Sequence, residues 1–341
     1  MVGGWHGKAA RLPAAPDRAD YPYVTPSAPA IELRSTGRNF GTRVALQPLD
    51  LAVAPGEVFG LLGPNGSGKT TTLRILATLI RPTIGSASVL GHDVVAEAME
   101  VRRVIGVMPE KPSLYERLTI RDNLSFWADA HAVPRVDDAI ARALEFVGLG
   151  GRANERVGEL SKGWRQRVSL ARAIVHQPKV LLLDEPSSGL DPSAATAMER
   201  MIRELVAGGS TVLMNTHRLA EAERLCDRVA ILRHGTLLEL GTPRQLRNRL
   251  LGGVVRVELA APPDTRLQHA VESLPGVAGV DWTGNGLLCR VEDAGRDTPR
   301  LVSGLVGGGA QILSVVQAGD LEEAYLELMA RTETAVLEAA A

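Results

Sequence analysis

No stretch of this 341-residue chain approaches the roughly 18 consecutive apolar residues of a membrane-spanning helix. Its apolar runs, such as residues 180–183, have strand length, so a role at a membrane would need a second polypeptide. Residues 1–30 lack the apolar centre of a secretory signal; rich in alanine and proline and without periodicity, they read as a disordered tail. Cysteine is scarce. Cys226 and Cys289 are too few for a disulfide framework or a zinc site, which makes a reducing cytoplasm the default, and neither reads as a nucleophile. A formal net charge of −1 gives no global pull on nucleic acid or anionic lipid. Lysine is also rare, with five among 38 basic residues, an imbalance read as compositional bias rather than an arginine-built binding surface.

What the chain does have is alternation, and its length suggests about two domains. Over residues 31–250, near-continuously apolar runs (58–62, 104–108, 180–183, 211–214 and 229–232) alternate with helical patterns (69–79, 120–130, 136–147, 161–175, 193–206 and 219–225). Runs that are apolar on both faces predict strands covered on both sides by helices. The expectation is an α/β domain with a mostly parallel core sheet and an inserted helical portion over about 112–158. After Gly252 and Gly253 the order becomes strand 254–259, helix 265–274, strands 277–282 and 287–291, helix 298–306 and strand 311–316, with a last helix over 321–329. That β-α-β-β-α-β order predicts a small C-terminal ferredoxin-like α+β domain over 254–330, then a tail over 331–341. Its strands lack the aromatic pairs that stack bases, Trp282 standing alone, so no nucleic-acid partner is expected and a structural or dimer-stabilising role fits better.

Gly63-Pro64-Asn65-Gly66-Ser67-Gly68-Lys69-Thr70 matches G-x-x-x-x-G-K-[ST] between a predicted strand and a predicted helix, the context in which that pattern binds phosphate. Its glycines let the backbone curl with amides pointing inward, and the helix N-terminus favours an anion. Lys69 would reach β- and γ-phosphates, Thr70 would ligate Mg²⁺ through its hydroxyl, and Thr71 is counted with the nucleotide-binding set. The apolar run at 180–183 ends in Asp184 and Glu185. Asp184 would hold Mg²⁺, mainly through a water, while Glu185 can polarise the attacking water as general base. His217, just past the strand at 211–214, falls at the same sheet edge and could donate to a γ-phosphate. Leu160-Ser161-Lys162-Gly163-Trp164 opens a basic helix that runs into the Asp-Glu strand, and this second serine-glycine turn suggests an ATPase working as a pair.

In this order and at these spacings, GPNGSGKT, LSKGW, LLLDEPSSGLDP and NTH resemble the ATP-binding subunit of an ABC transporter, a P-loop NTPase, over residues 31–250. The runs LSKGWRQRVSLARAIVHQP, AEAERLCDRVAILRHGTLLELGTP and DLEEAYLELM are similar to the ATPases of type-two exporters of drugs, antibiotics, sodium or polysaccharides. The resemblance implies a chain that binds ATP and Mg²⁺, forms a head-to-tail homodimer and powers export through a separate transmembrane permease. It also implies a cytoplasmic protein, peripheral on the inner face of the cell membrane through that permease. Ser161 and Gly163 would contact the partner's nucleotide, and Asp191 would link the two sites across the interface. Phe40 falls where a ring usually stacks on adenine. Glu110 stands where the family usually has a glutamine that contacts magnesium and its water and links to the inserted helices. Lys162 and Trp164 depart from the usual glycine and glutamine: the lysine would add charge near phosphate, and the ring would alter the fit near ribose or pack on the helical insert. The other reading is a soluble ABC ATPase acting on ribosomes or DNA. Such proteins usually fuse two ATPase domains or insert a long coiled coil, and this chain has one P-loop and no sustained heptads.

Overall fold

Half-buried strands open the structure. In the computed structural model, which describes residues 28–340, β1 (Ile31–Phe40) and β2 (Arg43–Val53) pair antiparallel. They are followed by β3 (Val58–Leu62), β4 (Ile84–Val89) and β5 (His92–Asp93). The sheet β2-β1-β4-β5 was not anticipated, because its strands mix apolar and polar residues without a clean period. The disordered tail expected over 1–30 lies, for residues 1–27, outside the described residues.

β3 is buried at all five positions, as a strand covered on both faces must be. With β6 (Ile105–Met108), β7 (Val180–Asp184), β8 (Thr211–Thr216), β9 (Arg228–Arg233) and β10 (Thr236–Gly241) it forms a sheet of order β10-β9-β3-β8-β7-β6. The pairs β9/β3, β3/β8, β8/β7 and β7/β6 are parallel, as the apolar runs predicted. Parallel pairing puts the C-terminal ends of β3, β8 and β7 side by side, so the loops leaving them open at one edge. Phe59, Leu61, Leu182 and Leu213 from this sheet share a core with Ile31, Leu33 and Val53 of the antiparallel one.

The helices of this part are α1 (Lys69–Leu76), α2 (Ala98–Val104), α3 (Ile120–Ala130), α4 (Val136–Phe146), α5 (Lys162–Ile174), α6 (Pro192–Ala207) and α7 (Leu219–Leu225). α1 stops three residues short of the expected 79, because Thr78 takes a left-handed φ of 60° that a helix cannot continue. α3 and α4 fall within the expected helical insert, and α3 begins with a Thr119–Asp122 capping box that satisfies two orphan amides. Among the described residues no helix is long and apolar enough to cross a membrane.

The chain divides into two compact units, one ending at Leu240 and one beginning at Gly241. The second holds α8 (Pro243–Leu251), β11 (Gly253–Leu259), α9 (Thr265–Glu272), β12 (Val277–Thr283), β13 (Gly286–Val291), α10 (Ala294–Gly307), β14 (Ile312–Gln317) and α11 (Leu321–Ala340). Sheet order β12-β13-β11-β14, antiparallel throughout, together with the β-α-β-β-α-β succession, is the ferredoxin-like arrangement. Its core sets Val255, Val257 and Leu287 against Val271, Leu301 and Leu305. α10 starts four residues before the expected 298: Asp293 caps the amides of Gly295 and Arg296, so a first turn forms ahead of Pro299. α11 continues through the expected tail, where alanine, glutamate and leucine without glycine or proline favour helix.

Asp297 of α10 is 1% exposed and accepts from Arg296, whose guanidinium holds the carboxyl down to about 2. Gly276, at a φ of +89°, packs so closely that an added β-carbon would lie 2.6 Å from the Asp297 carboxyl carbon. Gly276→Ala is therefore expected to destabilise the second unit by ~1–3 kcal/mol, read in denaturant melts as an earlier transition for that unit with the first unchanged.

Candidate active site

A cleft of about 400 Å³ lies at the sheet edge described above, lined by Asn65, Gly66, Ser67, Gly68, Lys69, Thr70 and Thr71, by Glu110, Asp184, Glu185 and His217, and by Arg43 and Ala45. Most of the residues singled out from the sequence are thus brought together, although they come from four separate loops. The P-loop leaves β3 through Gly63, whose φ of +144° and closeness to the Leu232 carbonyl, 2.1 Å from an added β-carbon, admit no side chain. Lys69 opens α1 and is 6% exposed; its Nζ donates to the carbonyls of Gly63 (2.6 Å) and Pro64 (2.9 Å), closing the loop on itself. Burial lowers the Lys69 ammonium below its ordinary value, and the charges of Glu185 and Asp184 partly restore it. The Ser67 hydroxyl is buried and has no hydrogen-bond partner among the described residues.

β7 and β8 deliver the acidic edge. Asp184 ends β7 and accepts from Asn215 Nδ2 (2.8 Å) on the neighbouring β8. Burial raises the Asp184 carboxyl above the usual aspartate range; the Asn215 bond opposes this, and the Glu110 charge adds to it. Glu185 has a left-handed φ of 54°, an uncommon state for a non-glycine residue, and its amide donates to the Asn215 carbonyl (3.0 Å). That conformation turns the Glu185 side chain to His217, with 2.6 Å between His217 Nδ1 and Glu185 Oε2. The loop after β7 is tied to the end of β8 by Glu221, 1% exposed, which accepts from Ser187 Oγ on one side and Thr216 Oγ1 (2.7 Å) on the other. Glu221, Arg43 and Ala45 were missed from the sequence. Glu221 lies in a short helix with ordinary charge patterning, and the strand that carries the other two has no clean period.

The remaining candidates lie outside the cleft lining. Phe40 is 45% exposed at the end of β1, with the Arg38 guanidinium 4.6 Å over its ring. Ser161 caps α5 by accepting from the Trp164 amide, and Asp191 caps α6 by accepting from Ser193 and Ala194 (both 3.0 Å). A β-carbon added at Gly163 would meet only ordinary contacts, with Ala194 and Leu190. Lys162 lays its amine over Gly189, where it would lie 2.0 Å from an added β-carbon. The Trp164 ring faces Arg152 of the insert and Arg167 of α5, both 4.7 Å away, a packing contact on the helical insert. Burial raises the Cys226 and Cys289 thiols, Cys289 to about 11, in keeping with neither being a nucleophile.

Sheet order, P-loop geometry and the paired carboxylate and imidazole define the class: a P-loop nucleoside triphosphatase with a helical insert. Similarity to known proteins narrows it. Residues 46–188 match the family model described as ABC transporter. The chain is 36% identical over 306 residues to the Nod factor export ATP-binding protein I of Burkholderia pseudomallei strain 1710b, spanning 88% of this chain and 97% of that protein. It is equally similar, 36% over 304 residues, to the protein of the same name from Rhizobium sp. strain N33, spanning 89% of this chain and 97% of that one. Among solved structures, an ATP-binding subunit of an ABC transporter superposes with a TM-score of 0.61 at 31% identity, covering 65% of this chain and 94% of that one. A dimeric bacterial ABC transporter cassette gives 0.58 at 26% identity, covering 62% and 98%. The chain belongs to the ABC transporter family as an ATP-binding subunit, and its activity is ATP hydrolysis.

Because the folded value of Asp184 lies above the unfolded one, its ionised form destabilises the fold at neutral pH, and that penalty fades as pH falls through the folded value. Asp184→Asn keeps an acceptor for Asn215 and removes the charge. Its melting temperature without nucleotide should exceed that of the wild type at neutral pH, with the gap narrowing toward the aspartate range, while ATP hydrolysis is lost.

Proposed function

We propose that this chain is the motor subunit of an exporter. It dimerises around two Mg-ATP and is coupled to a separate transmembrane permease that holds it at the inner face of the cell membrane. The observation that carries the reading is the split between the two motif sets. Lys69, Asp184, Glu185 and His217 line one cleft, whereas Ser161, Gly163 and Asp191 lie outside it in the same chain. Ser161 and Asp191 are exposed helix N-caps; a second copy packed head to tail would bring Ser161 and Gly163 to the other's γ-phosphate, where a helix N-terminus favours an anion, and Asp191 to the loop that links the two sites. The dimeric cassette among the structural relatives and the export names of the sequence relatives support this assembly and direction.

A magnesium ion fits the donor set. Thr70, Asp184 and Glu110 offer a hydroxyl and carboxylates in the cleft, oxygen donors of the kind Mg²⁺ prefers. Mg²⁺ is commonly held by one or two carboxylates, with phosphate and water filling its shell. Bound there, Mg²⁺ would neutralise phosphate charge. Glu185 takes a proton from the attacking water through its free oxygen, and His217 orients it through the 2.6 Å contact. With Nδ1 engaged by Glu185, His217 has Nε2 left for a γ-phosphate. Closure of the pair is a population shift that ATP favours because only the closed state contacts it from both sides. The relatives' printed substrate, Nod factor, gives a first compound to test for stimulation of hydrolysis by the assembled complex.

Glu185→Gln should bind ATP, hydrolyse it ~10²–10⁴-fold more slowly and run as a dimer with ATP but a monomer without it in light scattering. A variant that stays monomeric with saturating ATP, or turns over briskly, would count against both the base and the pairing.

A further inference from the structure

Arg43 was not among the residues read as functional, yet its side chain lines the nucleotide cleft. It begins β2 and pairs across the hairpin with Phe40. Two residues on, the register breaks: Arg38 faces Leu46 and Asn39 faces Val44, leaving Ala45 as a bulge. Bulges re-aim the strand they interrupt and recur beside active sites. Here the strand is fixed against the P-loop by two backbone bonds, from Gln47 N to the Gly235 carbonyl (2.9 Å) and from Gly235 N to the Ser67 carbonyl (3.0 Å). The Ala45 carbonyl packs on Gly68, and the Arg43 guanidinium lies 3.7 Å from where a β-carbon on Gly66 would sit. The hairpin therefore forms a second wall along the phosphate loop, with an arginine on it.

Charge gives that arginine a purpose. Glu110, Asp184 and Glu185 place three carboxylates in the cleft, while the Lys69 amine there is held by two loop carbonyls. A polyphosphate entering this surface, with or without its metal ion, gains from a further cation that faces it. Arg43 is exposed, has no hydrogen-bond or ion-pair partner among the described residues and cannot be deprotonated. Its planar fork matches phosphate oxygens in a way that a strand-end aliphatic residue could not.

We propose that Arg43 is a nucleotide-binding residue of this subunit, pairing in cis with the part of the phosphate chain common to ATP and ADP. The inference rests on the ATP-binding reading of the cleft. The test is isothermal titration of ADP, and of ATP in the Glu185→Gln background, into otherwise wild-type, Arg43→Ala and Arg43→Lys proteins. Arg43→Ala should weaken both nucleotides about tenfold with an unchanged nucleotide-free melting temperature, and Arg43→Lys should recover most of the loss. Equal ADP affinity in the wild type and Arg43→Ala overturns the arginine's role alone. An equal loss in the lysine variant overturns the charge assignment, and wild-type protein that binds neither nucleotide overturns the ATP-binding reading with it.

Discussion

Parallel pairing of β3, β8 and β7 is the constraint on which the rest of the ATPase unit depends. A parallel strand cannot turn straight back into its neighbour, so the strands all leave the sheet at the same edge and the chain returns by a crossover to the other. The P-loop, the Asp184–Glu185 turn and the loop carrying His217 thus converge although they are spread from Gly63 to His217 in sequence. The strands themselves are apolar because both faces are covered, so the scaffold is set by burial and the chemistry by the residues just past the buried end of each strand.

The groups gathered at this edge are held in unfavourable states. Asp184 is a carboxylate whose charge burial opposes, Lys69 an ammonium for which the same is true, and Glu185 a β-strand exit forced into a left-handed backbone. Such features survive only where surrounding structure over-determines them. Asn215 does this at two points, its side chain on Asp184 and its carbonyl on the Glu185 amide, while Glu221 ties the loop after β7 to the end of β8. A phosphate chain with a cation meets these groups with the opposite charges, which is why a nucleotide should tighten the site rather than merely occupy it.

The serine-glycine turn at Ser161 reads differently once its neighbours are placed. Lys162 lies over Gly189 in the loop leading to Asp191, and Trp164 stands between Arg152 and Arg167. Both departures from the usual pattern therefore join the start of α5 to its own chain, the lysine to the loop before α6 and the tryptophan to the helical insert. The turn is stiffened by contacts within the subunit and leaves Ser161 exposed as a cap.

Local chemistry made much of this legible. Continuous apolar runs gave the parallel strands, G-x-x-x-x-G-K-T its strand-to-helix turn, and the β-α-β-β-α-β rhythm the C-terminal sheet order, because each depends on residues close together in the chain. The four-stranded antiparallel sheet escaped, since mixed polarity over β1 and β2 signals no period, and with it went Arg43 and Ala45. Glu221 escaped because a buried carboxylate is recognisable only by the two hydroxyls that reach it, one from the loop after β7 and one from the end of β8. The sequence by itself determined which strands are buried and which loop can wrap phosphate, both matters of local composition. Only the tertiary structure decided which distant side chains share the cleft, because that is set by strand order, a β-bulge and backbone bonds between residues far apart in the chain.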